Sequence, residues 1–239
     1  MDIRSGVELP ARREDIELHT SDGLTLVGEL ASPLSTPPLA TLVTLHPLPT
    51  AGGFMDSHVL RKAAARLPAI ADLAVLRFNF RGVSSPRGTS QGAWGNGVDE
   101  RYDLAAAMAF VAERHLPDPW LLGWSFGTEI ALQYGLAYPV VGAILLSPPL
   151  KRTSDRELAA WSDSGKRLIA VVPELDTYLR PEEAGRRFAV VPRAEVVAVE
   201  GGRHLWVGEQ QTRRVLTEIL KQVNPSALPM PAVWADTPA

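Results

Sequence analysis

The chain has 239 residues and a net charge of −3, from 24 Lys and Arg against 27 Asp and Glu. Hydrophobic residues make up 46% and charged residues 21%. This composition is globular and excludes a chain-wide disordered protein. The slight acidic excess argues against a nucleic-acid binder. The absence of cysteine excludes a disulfide scaffold, a thiolate nucleophile and a cysteine metal site.

The N-terminal residues 1–18 are rich in charged side chains and do not resemble the apolar core of a signal peptide. A run of about 18 apolar residues, the length that spans a membrane, does not occur in the sequence. We therefore expect a cytoplasmic protein without a membrane segment.

Periodicity predicts the elements in chain order. Alternating apolar residues in 14–20 and 24–30, joined by Ser21-Asp22-Gly23, predict an antiparallel hairpin. Apolar segments then predict strands, and 3.6-residue periodicity predicts helices between them. The strands are 41–45, 74–80, 119–124, 141–147, 168–172 and 195–200; the helices are 57–71, 99–115, 126–137, 181–189 and 208–223.

This alternation predicts an α/β fold with a mainly parallel sheet and helices on both faces. We expect one domain over residues 1–223, followed by a mobile tail over 224–239, which contains four prolines. Only about 20 residues connect the strand 141–147 to the next one, which predicts a short flap and no large cap domain. Ligands of such sheets bind beyond the carboxyl ends of the strands, where the candidate residues below lie.

The segment Gly123-Trp124-Ser125-Phe126-Gly127 follows a predicted strand and begins a predicted helix. This GxSxG pattern places a nucleophilic serine in a sharp, strained turn, where side chains at the two glycine positions would clash. We predict Ser125 as the nucleophile. An inert serine in a structural glycine turn is the alternative.

A serine nucleophile needs a base, and His204 is the best placed of the five histidines because it follows the last strand in a loop with two glycines. We interpret His58 as solvated and His46 as a structural hydrogen-bond partner. The acid that orients the base should lie between the serine and the histidine in the sequence. We predict Asp176 in this role, with Glu174 as the alternative.

These motifs together resemble the α/β-hydrolase superfamily, over residues 14–223. The resemblance is closest to its small, lid-poor bacterial members. The matching segments are His46-Pro47-Leu48-Pro49, Arg77-Phe78-Asn79-Phe80-Arg81-Gly82, the GxSxG segment, Asp176 and Gly202 to His204. The resemblance implies an α/β-hydrolase fold and a serine hydrolase.

Acyl transfer through a serine also needs two backbone N–H groups that hold the oxyanion. We predict one at Phe126, directly after the nucleophile. We predict the other at Leu48, because Pro47 and Pro49 on either side of it have no N–H.

Trp124, Trp161 and Trp206 are expected to line a substrate pocket, with core packing as the alternative for each. Arg81, Arg87 and Arg203 lie on strand-end loops and could hold a carboxylate or phosphate, although such arginines more often pair with structural carboxylates. We expect no cofactor, because the sequence contains neither a Walker loop nor a dinucleotide fingerprint. We expect no metal, because histidines and carboxylates do not cluster at ligand spacing.

The sequence thus predicts a serine hydrolase that cleaves an ester or thioester of a small acyl substrate. A peptidase or acyltransferase would use the same residues, and a binding protein without turnover could share the fold. The acyl group, the leaving group and the oligomeric state are left open.

Overall fold

The first two strands form the predicted hairpin, in which β1 (Arg12–His19) pairs antiparallel with β2 (Thr25–Ser32). A computed structural model describes residues 1–4 and 6–235. The further strands are β3 (Ala40–Leu45), β4 (Leu73–Phe78), β5 (Ser84–Ser85), β6 (Gly88–Thr89), β7 (Pro119–Trp124), β8 (Gly142–Leu146), β9 (Arg167–Pro173) and β10 (Glu195–Val199). The helices are α1 (His58–Ala71), α2 (Glu100–Glu113), α3 (Phe126–Tyr134), α4 (Asp155–Ser164), α5 (Pro181–Phe188) and α6 (Glu209–Val223).

Among the described residues, eight strands form one sheet in the order β1-β2-β4-β3-β7-β8-β9-β10, whereas β5 and β6 form a small separate ribbon. The pairs β1–β2 and β2–β4 are antiparallel, and the remaining neighbours in the large sheet are parallel. Strands β3, β4 and β8 are buried along their whole length, as their continuous apolar runs predict. The predicted mainly parallel sheet is confirmed.

Helices cover both faces of the sheet. Apolar side chains of α1 and α6 form a core on one face, and those of α2, α3, α4 and α5 form a core on the other. The carboxyl ends of β3, β7, β8, β9 and β10 meet at one edge, because these strands are parallel. The loops that carry the candidate residues therefore converge there.

The connection from β8 to β9 contains the ten-residue helix α4 instead of a cap domain, as predicted. A capping box between Ser154 and Glu157 starts this helix. Trp161 on α4 is completely buried, and its indole N–H donates to the Leu132 carbonyl at 2.9 Å. The segment expected to form a short flap therefore packs beside α3.

Residues 224–235 of the Pro-rich segment contact the domain, and the mobility expected of residues 224–239 stays a prediction. Met230 is buried, and Arg213 on α6 donates to the Pro231 carbonyl at 3.0 Å. The backbone of Ile3 also donates to the Ala232 carbonyl at 2.9 Å. The rest of the predicted tail, residues 236–239, lies outside the described residues.

Within the part of the chain that the structure describes, helices are too short or too polar to cross a bilayer, and the longest, α6, has 15 residues.

Candidate active site

Ser125 lies in a strained turn between β7 and α3. Its backbone has φ 52° and ψ −113°, a conformation that costs energy for a residue with a side chain. A Cβ atom on Gly123 would lie 2.6 Å from the Gly127 carbonyl oxygen, and one on Gly127 would lie 1.9 Å from the Leu45 carbonyl oxygen. Both positions therefore require glycine, which lets β7, α3 and β3 approach closely enough to form the turn.

Of the three residues predicted for a catalytic triad, His204 lies within hydrogen-bond distance of both Ser125 and Asp176. The His204 Nε2 atom is 2.9 Å from the Ser125 hydroxyl oxygen. The His204 Nδ1 atom is 2.9 Å and 3.1 Å from the two carboxylate oxygens of Asp176. A carboxylate can only accept, so Nδ1 carries a proton, and Nε2 of the neutral ring is free to accept one from the serine.

Asp176 and Glu174, the two acids weighed in the sequence, have different surroundings. The Asp176 side chain is 1% exposed, and its Oδ1 atom also accepts the backbone N–H of Tyr178 at 2.8 Å. The Glu174 carboxylate is exposed and instead accepts the backbone N–H of Gly201 at 2.8 Å. The structure therefore brings Asp176, and not Glu174, to the imidazole.

The loop that carries His204 is held through its main-chain oxygens. The indole N–H of Trp124 and the hydroxyl of Ser147 both donate to the His204 carbonyl at 3.1 Å. The Nε2–H of His58 donates to the Leu205 carbonyl at 2.6 Å. Donors from β7, from the end of β8 and from the start of α1 thus fix the position of this loop.

His58 was interpreted from the sequence as solvated, and the structure corrects this interpretation. Its ring contacts Trp124 edge-on, with centroids 5.3 Å apart, and partial burial lowers the pKa of the imidazole. The partner carbonyl lies 147 residues away along the chain. No local sequence pattern identifies such a contact, so sequence reasoning missed this residue.

The loop after β3 is oriented by His46, which is completely buried. The His46 Nε2 atom accepts the backbone N–H of Phe80 at 3.0 Å, because an amide N–H can only donate. The neutral ring therefore carries its proton on Nδ1, which donates to the Pro47 carbonyl at 2.7 Å. Burial lowers the pKa of His46 to about 4, so the ring is neutral at pH 7.

This hydrogen bond also orients the next N–H group along the chain. The carbonyl of Pro47 and the N–H of Leu48 belong to one trans peptide unit, in which the two groups point in opposite directions. His46 thus fixes the direction of the Leu48 N–H. Within the described chain, neither this N–H nor that of Phe126, the first residue of α3, donates a hydrogen bond to the protein.

A cleft of about 230 Å³ opens over these groups. Ser125, His204, Leu48 and Phe126 line it together with Pro47, Ala51, Glu129, Pro149, Lys151, Arg152, Tyr178 and Leu205. A second cleft of about 650 Å³ continues from it and shares His204, Leu205, Tyr178 and Ala51. Its further lining includes the exposed apolar side chains of Leu175 and Val207. The histidine therefore lies where the two clefts meet.

The three tryptophans expected to line a pocket do not line either cleft. Trp161 and Trp206 are completely buried in the two cores, and Trp124 is 2% exposed. Burial of such large apolar surfaces stabilises the fold, so core packing is the physical reason for these positions. Trp124 nevertheless acts on the site through its hydrogen bond to the histidine loop.

The three arginines on strand-end loops also differ from one another. Arg81 pairs with Asp103 and Asp22, and Arg87 pairs with Asp15 and Glu29, so both hold structural carboxylates. Arg203 is exposed and lines the second cleft. Over the described residues, histidines and carboxylates form no group of three that could hold a metal ion.

The known proteins that match this chain are mainly proteins of solved structure. No family model matches the chain. An uncharacterised protein of Rickettsia prowazekii is 34% identical over 119 residues, which is 48% of this chain and 48% of that protein. The chain thus matches about half the length of this curated relative.

Solved structures match over most of the chain. A serine hydrolase without a lid from Xanthomonas campestris is 24% identical with a TM-score of 0.75, over 94% of this chain and 99% of that one. An α/β serine hydrolase homologue from Coxiella burnetii is 27% identical with a TM-score of 0.73, over 87% and 95%. The esterase Pf2001 of Pyrococcus furiosus is 21% identical with a TM-score of 0.68, over 89% and 93%. At 24% and 21% identity, the Xanthomonas campestris and Pyrococcus furiosus structures show that the fold is shared.

Proposed function

Given that the chain has the α/β-hydrolase fold of the lid-poor serine hydrolases, we propose that it hydrolyses an ester or thioester through an acyl-enzyme on Ser125. The observation that carries this proposal is the continuous hydrogen-bonded line from Ser125 through His204 to Asp176, with distances of 2.9 Å on each side of the imidazole. Such a line gives a serine hydroxyl the general base that it otherwise lacks.

In the proposed reaction, the Ser125 oxygen attacks the acyl carbon while His204 Nε2 takes the hydroxyl proton. The resulting imidazolium is stabilised by the Asp176 carboxylate, and it gives the proton to the departing alkoxide or thiolate. Water then attacks the acyl-serine, again losing its proton to Nε2. The carboxylic acid leaves, and the proton returns to Ser125.

The tetrahedral intermediates carry a negative charge on the former carbonyl oxygen. We assign the backbone N–H groups of Leu48 and Phe126 to this charge, since both residues line the cleft beside Ser125 and neither group is used within the described chain. The Phe126 N–H also belongs to the first turn of α3, where the helix dipole favours negative charge. His46 then acts as a positioning residue for the Leu48 N–H.

Hydrolysis is favoured over acyl transfer by the access of water to the base. The His204 side chain is 13% exposed, and α4 packs beside α3 instead of covering the site. The second cleft is suited to an aliphatic part of the substrate, because the exposed side chains of Leu175 and Val207 offer apolar contact there.

The test is hydrolysis of p-nitrophenyl esters from C2 to C12 by the wild type and by Ser125→Ala. We expect turnover in the wild type and a loss of at least about 10³-fold in kcat in the variant, as for removal of a serine nucleophile. Ser35→Ala, an exposed serine in the loop before β3 at the opposite edge of the sheet, is the matched control.

A fluorophosphonate probe tests the nucleophile without requiring a correct ester. Labelling should map to Ser125 in the wild type and in Ser35→Ala. If Ser125→Ala hydrolyses the esters as fast as the wild type, or if the probe does not modify Ser125, the proposal is wrong.

A further inference from the structure

Two cations line the cleft beside Ser125 without a carboxylate partner in the described residues. Lys151 and Arg152 both line the cleft. Within the described residues, neither side chain forms a salt bridge. Arg81 and Arg87, by contrast, are held by structural carboxylates. The charges of Lys151 and Arg152 are therefore available to a ligand.

The segment that carries these cations is fixed to α3 by Glu129, which is completely buried. One carboxylate oxygen of Glu129 accepts the backbone N–H groups of Lys151 at 2.6 Å and Arg152 at 3.2 Å, and the other accepts the Thr153 hydroxyl. Gln133, one turn further along α3, donates to the Arg152 carbonyl at 2.8 Å. The Glu129 carboxylate is thus engaged by hydrogen bonds from residues 151–153. The side chains of Glu129, Lys151 and Arg152 together leave the cleft with a formal charge of +1.

The cationic groups are also held in place against the aromatic rings of the site. The Lys151 Nζ atom lies 4.3 Å from the centre of the Tyr178 ring, which in turn lies 4.5 Å from the His204 ring. The Arg152 guanidinium lies 5.6 Å from the centre of the Phe126 ring and donates to the Asn96 side-chain oxygen at 2.8 Å. The Tyr178 ring therefore lies between the Lys151 ammonium group and His204, and the Arg152 guanidinium lies near the ring of Phe126, whose N–H is proposed to hold the oxyanion.

We propose that this cleft selects esters that carry a negatively charged substituent, such as a carboxylate, which Lys151 and Arg152 bind while the scissile carbonyl reaches Ser125. This inference rests on the proposed function. The observation behind it is a pair of positioned, carboxylate-free cations in the cleft that contains the nucleophile. Asn96 holds the Nε and Nη2 atoms of Arg152, so the Nη1 atom and the Lys151 ammonium group are the donors that can each reach an oxygen of a carboxylate.

The test compares matched anionic and neutral esters. Mono-p-nitrophenyl adipate and p-nitrophenyl hexanoate have acyl chains of the same length, with and without a terminal carboxylate. The ion 4-acetoxybenzoate and its methyl ester place the charge on the leaving group instead. The measured quantity is the ratio of kcat/KM for the anionic ester to kcat/KM for the neutral one, each corrected for its rate with hydroxide alone.

We expect the double variant Lys151→Gln/Arg152→Gln to lower this ratio about tenfold for at least one pair, because each partly exposed ion pair contributes a few-fold. The pair that responds shows whether the charge belongs to the acyl group or to the leaving group. Sodium chloride should lower the ratio for the wild type more than for the double variant. Arg193→Gln removes an exposed charge before β10, at the opposite edge of the sheet, and should leave the ratio within about twofold.

Failure of this inference and failure of the proposed function are distinguishable. If neutral esters are hydrolysed in a Ser125-dependent way and the double variant leaves both ratios unchanged, the substrate class is wrong and the hydrolase stands. If the wild type hydrolyses none of the esters, calorimetric titration of Ser125→Ala with monomethyl adipate decides. Binding that the two further substitutions weaken about tenfold supports the anion site, and binding that they leave unchanged, or no binding, refutes it.

Discussion

The buried His46, which directly follows β3, gives a prediction about how stability depends on pH. His46→Gln replaces the titrating imidazole with a neutral amide but keeps an oxygen that can accept the Phe80 N–H. The wild-type ring has a pKa of about 4, against 6.5 for an ordinary histidine, because burial disfavours its charged form. The free energy of unfolding should therefore depend on pH through this ring.

The sign follows from the direction of the change in pKa. The folded-state pKa lies below the unfolded one, so the neutral ring favours folding at pH values above about 6.5. This contribution is lost as the pH falls from 6.5 through 4, and the dependence levels off below that. A difference of about 2.5 between the two pKa values corresponds to about 3 kcal/mol.

The assay is urea unfolding of the wild type and His46→Gln at several pH values between 7.5 and 4. The free energy of unfolding of the wild type minus that of His46→Gln should fall by about 3 kcal/mol from pH 7.5 to pH 4. His46→Phe does not titrate either, but it leaves the buried Phe80 N–H unpaired. Its curve should run parallel to that of His46→Gln and lower by about 1–3 kcal/mol. A constant difference between wild type and His46→Gln from pH 6.5 to 4 would refute the reasoning.

Two other substitutions test the rest of the site. Asp176→Asn should lower kcat for ester hydrolysis by about 10³-fold or more, because an amide no longer fixes the imidazole tautomer. Glu174→Gln keeps the oxygen that accepts a backbone N–H and should change kcat less than about threefold. Equal losses of kcat in the two variants would contradict the assignment of Asp176. Gly127→Ala should destabilise the protein by at least about 3 kcal/mol in urea unfolding, since its methyl group would overlap the Leu45 carbonyl, whereas Gly185→Ala in α5 meets no atom within 4 Å and should be neutral or stabilising. Similar stability of the two alanine variants would show that the turn can relax.

The central sheet could be predicted from the sequence because its signals are local. Continuous apolar strands alternate with amphipathic helices, and the glycines of the GxSxG segment mark a turn whose close contacts the structure shows directly. The choice of Asp176 over Glu174 rested on its later position in the loop. In the structure this difference of two residues decides whether the carboxylate faces the imidazole or the Gly201 N–H.

The surroundings of the site could not be predicted in the same way. A tryptophan is equally suited by its chemistry to a core and to a cleft, and only the packing of α4 on α3 decides that Trp161 belongs to the core. His58 reaches its carbonyl across 147 residues. The place of Lys151 in the cleft depends on Glu129, a buried acid on α3 whose role becomes visible only when the loop is folded against it.

The attachment of the histidine loop has a consequence for laboratory evolution of the protein. Trp124, Ser147 and His58 hold this loop through the carbonyl oxygens of residues 204 and 205, and a carbonyl is present whatever side chain the residue bears. The side chains of Leu205 and Val207 are 56% and 73% exposed and border the second cleft. Libraries that randomise these two positions can therefore reshape the cleft while the imidazole keeps its place.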